Sequence, residues 1–251
     1  MFREEDADIL ILVELDQTWH DRLQSVAANY PHQTETVLPD GLGLGVWSKL
    51  PIKVSEIRHI VSDLRPSIYT TIALGEHDIR LVAIHPTPPA LPVEGEDKRY
   101  GSRIRDAELM LLAADIEDRP DANWIVAGDF NDVAWSRTTA LFTDVSGLAD
   151  PRIGRGLVNT YHARYMLMRY PLDHVFVAED FAVESFRRVK APGSDHFAVR
   201  LALQFRPTTK TADPVEESES EAAGEMVREG VEETDEHNEE ANGPDSGTPE
   251  P

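Results

Sequence analysis

The chain predicts an α/β or α+β sandwich of two packed β-sheets with helices outside. Three observations carry this. Short apolar runs rich in Val and Ile recur along most of the length; only two stretches before residue 120 show a helical stripe; and several apolar runs end or begin at a carboxylate, which places polar groups at a sheet rim.

Residues 8–14 (Asp-Ile-Leu-Ile-Leu-Val-Glu) form a continuous apolar run ending in Glu14, as expected of a strand buried on both faces. Residues 17–30 carry Trp19, Leu23 and Val26 at helical spacing, with Asp16 as N-cap and Pro31 as the stop. The glycines of residues 41–45 lead into Val46-Trp47-Ser48 with no helix after them, so they read as a turn before a strand, not a phosphate-cradling loop. Residues 54–61, 67–74 and 78–84 read as three successive strands. His85 ends the third, and Pro86, Pro88, Pro89 and Pro92 force a surface loop beside it. Residues 102–117 are a helix, striped by Ile104, Leu109, Leu112 and Ile116. Arg99, Arg103 and Arg105 fall near the Pro-rich loop and read as a solvated helix start. Residues 124–127 are a short buried strand delivering Asp129 and Asn131, and further strands are expected at 172–178, 183–189 and 197–205.

From residue 206 onward large apolar residues are scarce. Residues 206–251 hold 15 acidic and 3 basic residues, more than half of the formal charge of −22. Such a segment buries too little apolar surface to offset the roughly 1–2 kcal/mol per residue of backbone ordering, so a disordered acidic tail is expected after one domain of residues 1–205. The acidity of the whole disfavours strong non-specific nucleic-acid binding and attracts divalent cations. There is no cysteine, hence no disulfide and no thiolate metal site. Apolar runs such as Ile9 to Val13 are far below the roughly 20 residues that span a bilayer. The N-terminus lacks a signal-peptide layout. A soluble, cytoplasmic monomer is the expectation.

Two segments carry the chemistry: Gly-Asp-Phe-Asn at 128–131 and Ser-Asp-His at 194–196. With Glu14 upstream and Asp173 between, they assemble what metal-assisted phosphate-ester hydrolysis requires: oxygen ligands for Mg²⁺ or Mn²⁺, a base for water, and donors for phosphoryl oxygens. Glu14 and Asp195 are candidate ligands and Asp129 the candidate base. His196 faces the phosphate with Asp173 on its other ring nitrogen, and His85 is a second donor. His174 alternates to the opposite face. His20, His32, His59, His77 and His162 lack carboxylate partners at ligand spacing and read as structural.

These segments, with Gly43–Ser48, Leu81–His85 and Leu172–His174, resemble the endonuclease/exonuclease/phosphatase superfamily, DNase I-like, over residues 7–205. The resemblance implies a four-layer α/β/β/α sandwich and divalent-metal-dependent hydrolysis of a phosphodiester or phosphomonoester. It implies that Glu14 binds metal with Asp195 nearby, Asp129 positions water, Asn131 contacts phosphate, Asp173 orients His196, and His85 stands by the leaving group. Trp135-Ser136 resembles a bacterial subgroup whose domain often follows membrane helices. The superfamily ordinarily begins with another strand, bearing an Asn of the site, that is not in this sequence. An upstream segment, with membrane association as its corollary, is the expectation. The alternative is a non-catalytic remnant that lost the strand completing its site.

Overall fold

The computed structural model describes residues 2–89, 102–156, 158–165, 167–208 and 215–241. In chain order its elements are α1 (Phe2–Glu5), β1 (Ile9–Val13), α2 (Gln17–Ala27), β2 (His32–Thr36), β3 (Leu44–Ser48), β4 (Ile52–His59), β5 (Pro66–Leu74), β6 (His77–Ile84), α3 (Arg103–Glu117), β7 (Asn123–Asp129), α4 (Arg137–Ser146), β8 (Asp173–Val177), β9 (Phe181–Lys190), β10 (Phe197–Phe205) and α5 (Glu217–Ala241).

The larger sheet has the order β4-β5-β6-β7-β8. Only β6 and β7 pair in parallel. A parallel pair needs a long crossover, and α3 provides it. Because β8 runs against β7, the exit of one lies beside the entry of the other: Asp129 faces Asp173 in the register, with Ile84 and Gly128 paired one strand over. The candidate-bearing ends of β6, β7 and β8, with His85, Asp129 and Asp173, therefore share one end of this sheet.

A smaller sheet, β1-β3-β2, packs across it, and β9 pairs with β10 as a separate ribbon. Alternation along the strands builds two cores. Ile9, Ile11 and Val13 of β1 and Leu44 and Val46 of β3 point into the main core between the sheets. Leu10, Leu12 and Trp47 point the other way, where Leu23, Val26 and Ala27 of α2 cover them. On the far side of the large sheet, Leu109, Leu112 and Ile116 of α3 and Leu141, Phe142 and Val145 of α4 close the main core. The result is the expected four-layer sandwich. Asp16 caps α2 by accepting from Trp19 N–H at 2.7 Å.

Two expectations need correction, and two elements had no counterpart in the sequence reading. β1 is only half-buried apart from Leu12, because among the described residues nothing pairs with its outer edge. β2 is too polar to read as a strand, yet β3 supplies its backbone partners. α4 was not anticipated, although Ser136 is a standard N-cap, accepting from Thr139 N–H, and Gly147 closes it in the left-handed region. Most consequentially, residues 217–241 form α5, not disordered chain. Ala222, Ala223, Met226 and Val227 lie against the main core. A Cβ added at Gly230 would lie 2.3 Å from Ala107 Cβ and 2.4 Å from the Arg103 carbonyl oxygen, so α5 sits directly on α3. Average composition misses this because small residues grouped on one face suffice for docking. Residues 209–214 and 242–251 of the expected tail lie outside the described residues.

Candidate active site

Each site residue stands where a strand ends. Glu14 follows β1 with φ of +61°, and Asn131 follows β7 with φ of +50°. Non-glycine residues seldom adopt this region, and where they do the backbone is turned sharply at a cost of about 1–3 kcal/mol. Here the turn frees each side chain from its sheet. Glu14 lies against Gly41, where an added Cβ would come 3.1 Å from its Oε1. Gly128 lets β7 reach the rim beside β6, since a Cβ there would sit 1.8 Å from the Ile84 carbonyl oxygen.

At the centre is His196. Its Nδ1 is 2.7 Å from Asp173 Oδ2, and its Nε2 is 3.7 Å from Asp129 Oδ2. Burial alone would lower its pKa, but the Asp173 hydrogen bond and the charges of Asp173, Asp129 and Asp195 outweigh that and push it up to about 9. The ring is an imidazolium at neutral pH, able to donate to an oxyanion. Asp129 is 6% exposed. Burial first, and Asp173 next, push its pKa up to about 7, in the range suited to a general base. Asp129 is fixed by accepting from Asn131 N–H at 2.9 Å. The backbone N–H of Asp173 donates to Thr160 Oγ1.

Behind this array runs a buried polar support. Arg105 donates to the Asn131 carbonyl at 2.8 Å and lies 3.5 Å from Asp132. His174 places Nε2 at 2.9 Å from the Asp132 carbonyl and Nδ1 at 2.8 Å from Arg152, which in turn pairs with Asp150. Asn131 Nδ2 donates to the Pro86 carbonyl, which ties the exit of β7 to that of β6. A second support holds His85, 4% exposed with its pKa lowered to about 3 by burial and then by Arg65 and His196. Arg65 places Nη1 within 3.1 and 3.3 Å of the two ring nitrogens. Buried Glu108 accepts from Ser62 N–H and Thr87 N–H, so it clamps the turn before Arg65 to the loop after His85.

Among the described residues, one group of three offers ligand atoms within 4.8 Å of one another: Asp129, Asp173 and His196. Its chemistry argues against a cation at its centre, since His196 is already hydrogen-bonded to one carboxylate and positively charged. The Glu14 pKa is raised by desolvation and then by the negative charge of Asp195, and carboxylate oxygens are the donors a hard divalent cation takes.

Against known proteins, the model of the Endonuclease/Exonuclease/phosphatase family matches residues 1–196. The chain belongs to that family. No curated protein matches in sequence. Among solved structures, a humanized D. rerio TDP2 aligns with a TM-score of 0.65 at 18% identity, covering 81% of this chain and 88% of that one. A Bacteroides thetaiotaomicron protein of the same family aligns at 0.63 and 16%, covering 82% and 87%. The human nocturnin catalytic domain, with bound sulfate, aligns at 0.60 and 18%, covering 80% and 82%. At these identities the likeness concerns the fold, which is DNase I-like.

Within the family fold, the contacts above join Asp129, Asn131, Asp173 and His196, and the charges of Glu14 and Asp195 act on the same cluster. His85 lies deeper than its position before a loop implied, engaged with Arg65. His174 turns away, as alternation requires, and stacks on Phe130. One arginine departs from the sequence reading, Arg105, which is buried in the support; Arg103 is exposed at the helix start, as expected, and lies 3.7 Å from Glu229, while Arg99 lies outside the described residues. His20, on α2, also finds a carboxylate, Glu35 of β2 at 3.2 Å. Arg65, Glu108 and Tyr161, whose ring lies 4.9 Å from His196, carried no motif signal. Only Arg65, a lone cation opening a strand toward the rim, left a trace in the order of residues.

Proposed function

We propose that this chain is a divalent-cation-dependent phosphoesterase. The observation that carries the reading is the Asp129–His196–Asp173 array at the rim of the large sheet, with Glu14 and Asp195 beside it. A cation held by these two carboxylates would neutralise phosphoryl charge. Asp129 orients water and accepts its proton. His196, kept protonated and aimed by Asp173, donates to a phosphoryl oxygen as charge develops there. Asn131 adds a neutral contact. Arg65 supplies a second cation, and His85, neutral through burial, holds it in place and is not a proton source. The human nocturnin catalytic domain, which has the same fold, was solved with a bound sulfate anion, a tetrahedral oxyanion like phosphate.

The test is hydrolysis of bis(p-nitrophenyl) phosphate and p-nitrophenyl phosphate with Mg²⁺ or Mn²⁺ against EDTA, for wild type and His196→Ala. Turnover should require the cation and fall by about 10²- to 10⁴-fold in the variant. A folded wild type with no turnover on either ester under any cation would sink the reading in favour of a non-catalytic family member.

A further inference from the structure

We infer that the hairpin arms of residues 161–165 and 167–170 form a stacking platform for an unpaired nucleobase flanking the phosphate at this site, an inference that rests on the phosphoesterase reading. A ladder of rings leads outward from the proposed catalytic histidine. Tyr161 lies 4.9 Å from His196, His162 5.0 Å from Tyr161, and Tyr165 4.7 Å from His162. The hairpin is tied to the site by an antiparallel bridge between Tyr161 and His196 and by Ala163 N–H donating to the Asp195 carbonyl. It is braced internally by Tyr161–Tyr170 pairing, by Arg164 N–H donating to His162 Nδ1, and by Arg169 donating to the carbonyls of His162 and Ala163. The outermost ring, Tyr165, is 62% exposed, which leaves it a face for a ligand.

The charge around the ladder is opposite to that of the chain. Between Asp150 and Asp173 lies the longest stretch without Asp or Glu, and it contains four arginines. Arg164 is exposed beside Tyr165, and Arg169 and Arg188 lie over the Phe197 ring, the residue after His196, at 5.1 and 4.7 Å. Among the described residues, none of these three guanidinium groups has a carboxylate within ion-pair distance. Rings interleaved with unpaired cations beside a phosphate site suit a single nucleic-acid strand, bases on the rings and neighbouring phosphates on the arginines. Net charge and whole-chain composition conceal this feature, because it occupies one hairpin.

The test compares a thymidine octamer with a base-free octamer of the same sugar–phosphate backbone, measuring KM and kcat with Mn²⁺ and, separately, anisotropy of both labelled strands in EDTA. Tyr165→Ala should raise KM for the base-bearing strand by about five- to hundred-fold, leaving its kcat and all constants for the base-free strand unchanged, and Tyr165→Phe should restore wild-type behaviour. Equal KM for the two strands in wild type, or equal losses on both in Tyr165→Ala, would overturn the platform. So would a loss confined to phospholipid in vesicles for Tyr165→Ala and for Leu167→Ser, at an exposed leucine of the same hairpin, which would make the hairpin a lipid-facing lip. If neither strand is cleaved, binding decides. A Tyr165-dependent preference for the base-bearing strand sustains the platform while the phosphoesterase reading falls, and no preference overturns the platform as well.

Discussion

One histidine on a strand, His174, and two at the rim, His85 and His196, show how burial and partners divide a single residue type. His196 is held charged by three carboxylates. His174 is 1% exposed, its pKa lowered to about 3 by burial and then by Arg152. A histidine whose folded pKa lies below its unfolded value of about 6.5 favours the folded state above that value, and loses this contribution as pH falls toward the folded pKa. Between pH 7.5 and 5, His174 alone should remove about 2 kcal/mol of stability. Urea unfolding at the two pH values checks this. His174→Phe should start less stable, since Arg152 and the Asp132 carbonyl lose a partner, yet show a shallower loss on acidification. An unchanged pH slope in the variant would contradict the assignment. His85, also lowered to about 3, contributes with the same sign.

At the scale of elements, α5 is the instructive case. It is strongly acidic and carries few large side chains, yet it covers α3 through a strip of Ala, Met, Val and Gly. Gly230 sets the approach: any Cβ would overlap Ala107 and the Arg103 carbonyl. Gly230→Val should therefore force the helices apart and cost about 1–3 kcal/mol. In a domain of this size that lowers Tm by several degrees, at roughly 2–4 °C per kcal/mol. The same substitution at Gly224, which meets nothing within 4 Å, is the control and should leave Tm nearly unchanged. If both variants melt alike, the docked helix is not part of the cooperative unit. Of the strands, those with branched apolar runs were legible, since burial on a sheet requires that pattern. β2 was not, because its strand state derives from β3 and not from its own residues.

For the molecule as a whole, the charge of −22 is unevenly spread. Much of it lies on α5, a smaller share converges at the site, and the hairpin arms of residues 161–165 and 167–170 are free of it. Among the described residues, no helix is long and apolar enough to cross a membrane. The repulsion between Glu14 and Asp195 predicts that Mg²⁺ or Mn²⁺ stabilises the fold. At 100 times the dissociation constant the gain is about 2.7 kcal/mol, visible as a concentration-dependent rise in Tm. Glu14→Gln combined with Asp195→Asn should abolish that rise and raise the metal-free Tm, because the repulsion is gone. A rise that survives the double substitution would place the cation elsewhere.

What the chain determined by itself was the family, the layered architecture, and the order of Glu14, Asp129, Asp173 and His196, because strand periodicity and carboxylates at strand ends are local features of sequence. The tertiary structure decided three things that are not local. It set the protonation of the imidazoles, since burial and neighbouring charge depend on residues far apart in the chain. It recruited Arg65, Glu108 and Arg105, whose roles arise only when β4–β5, β6 and α3 meet. And it turned a composition suited to disorder into a docked helix, because a strip of small residues binds only when α3 presents a surface to match it.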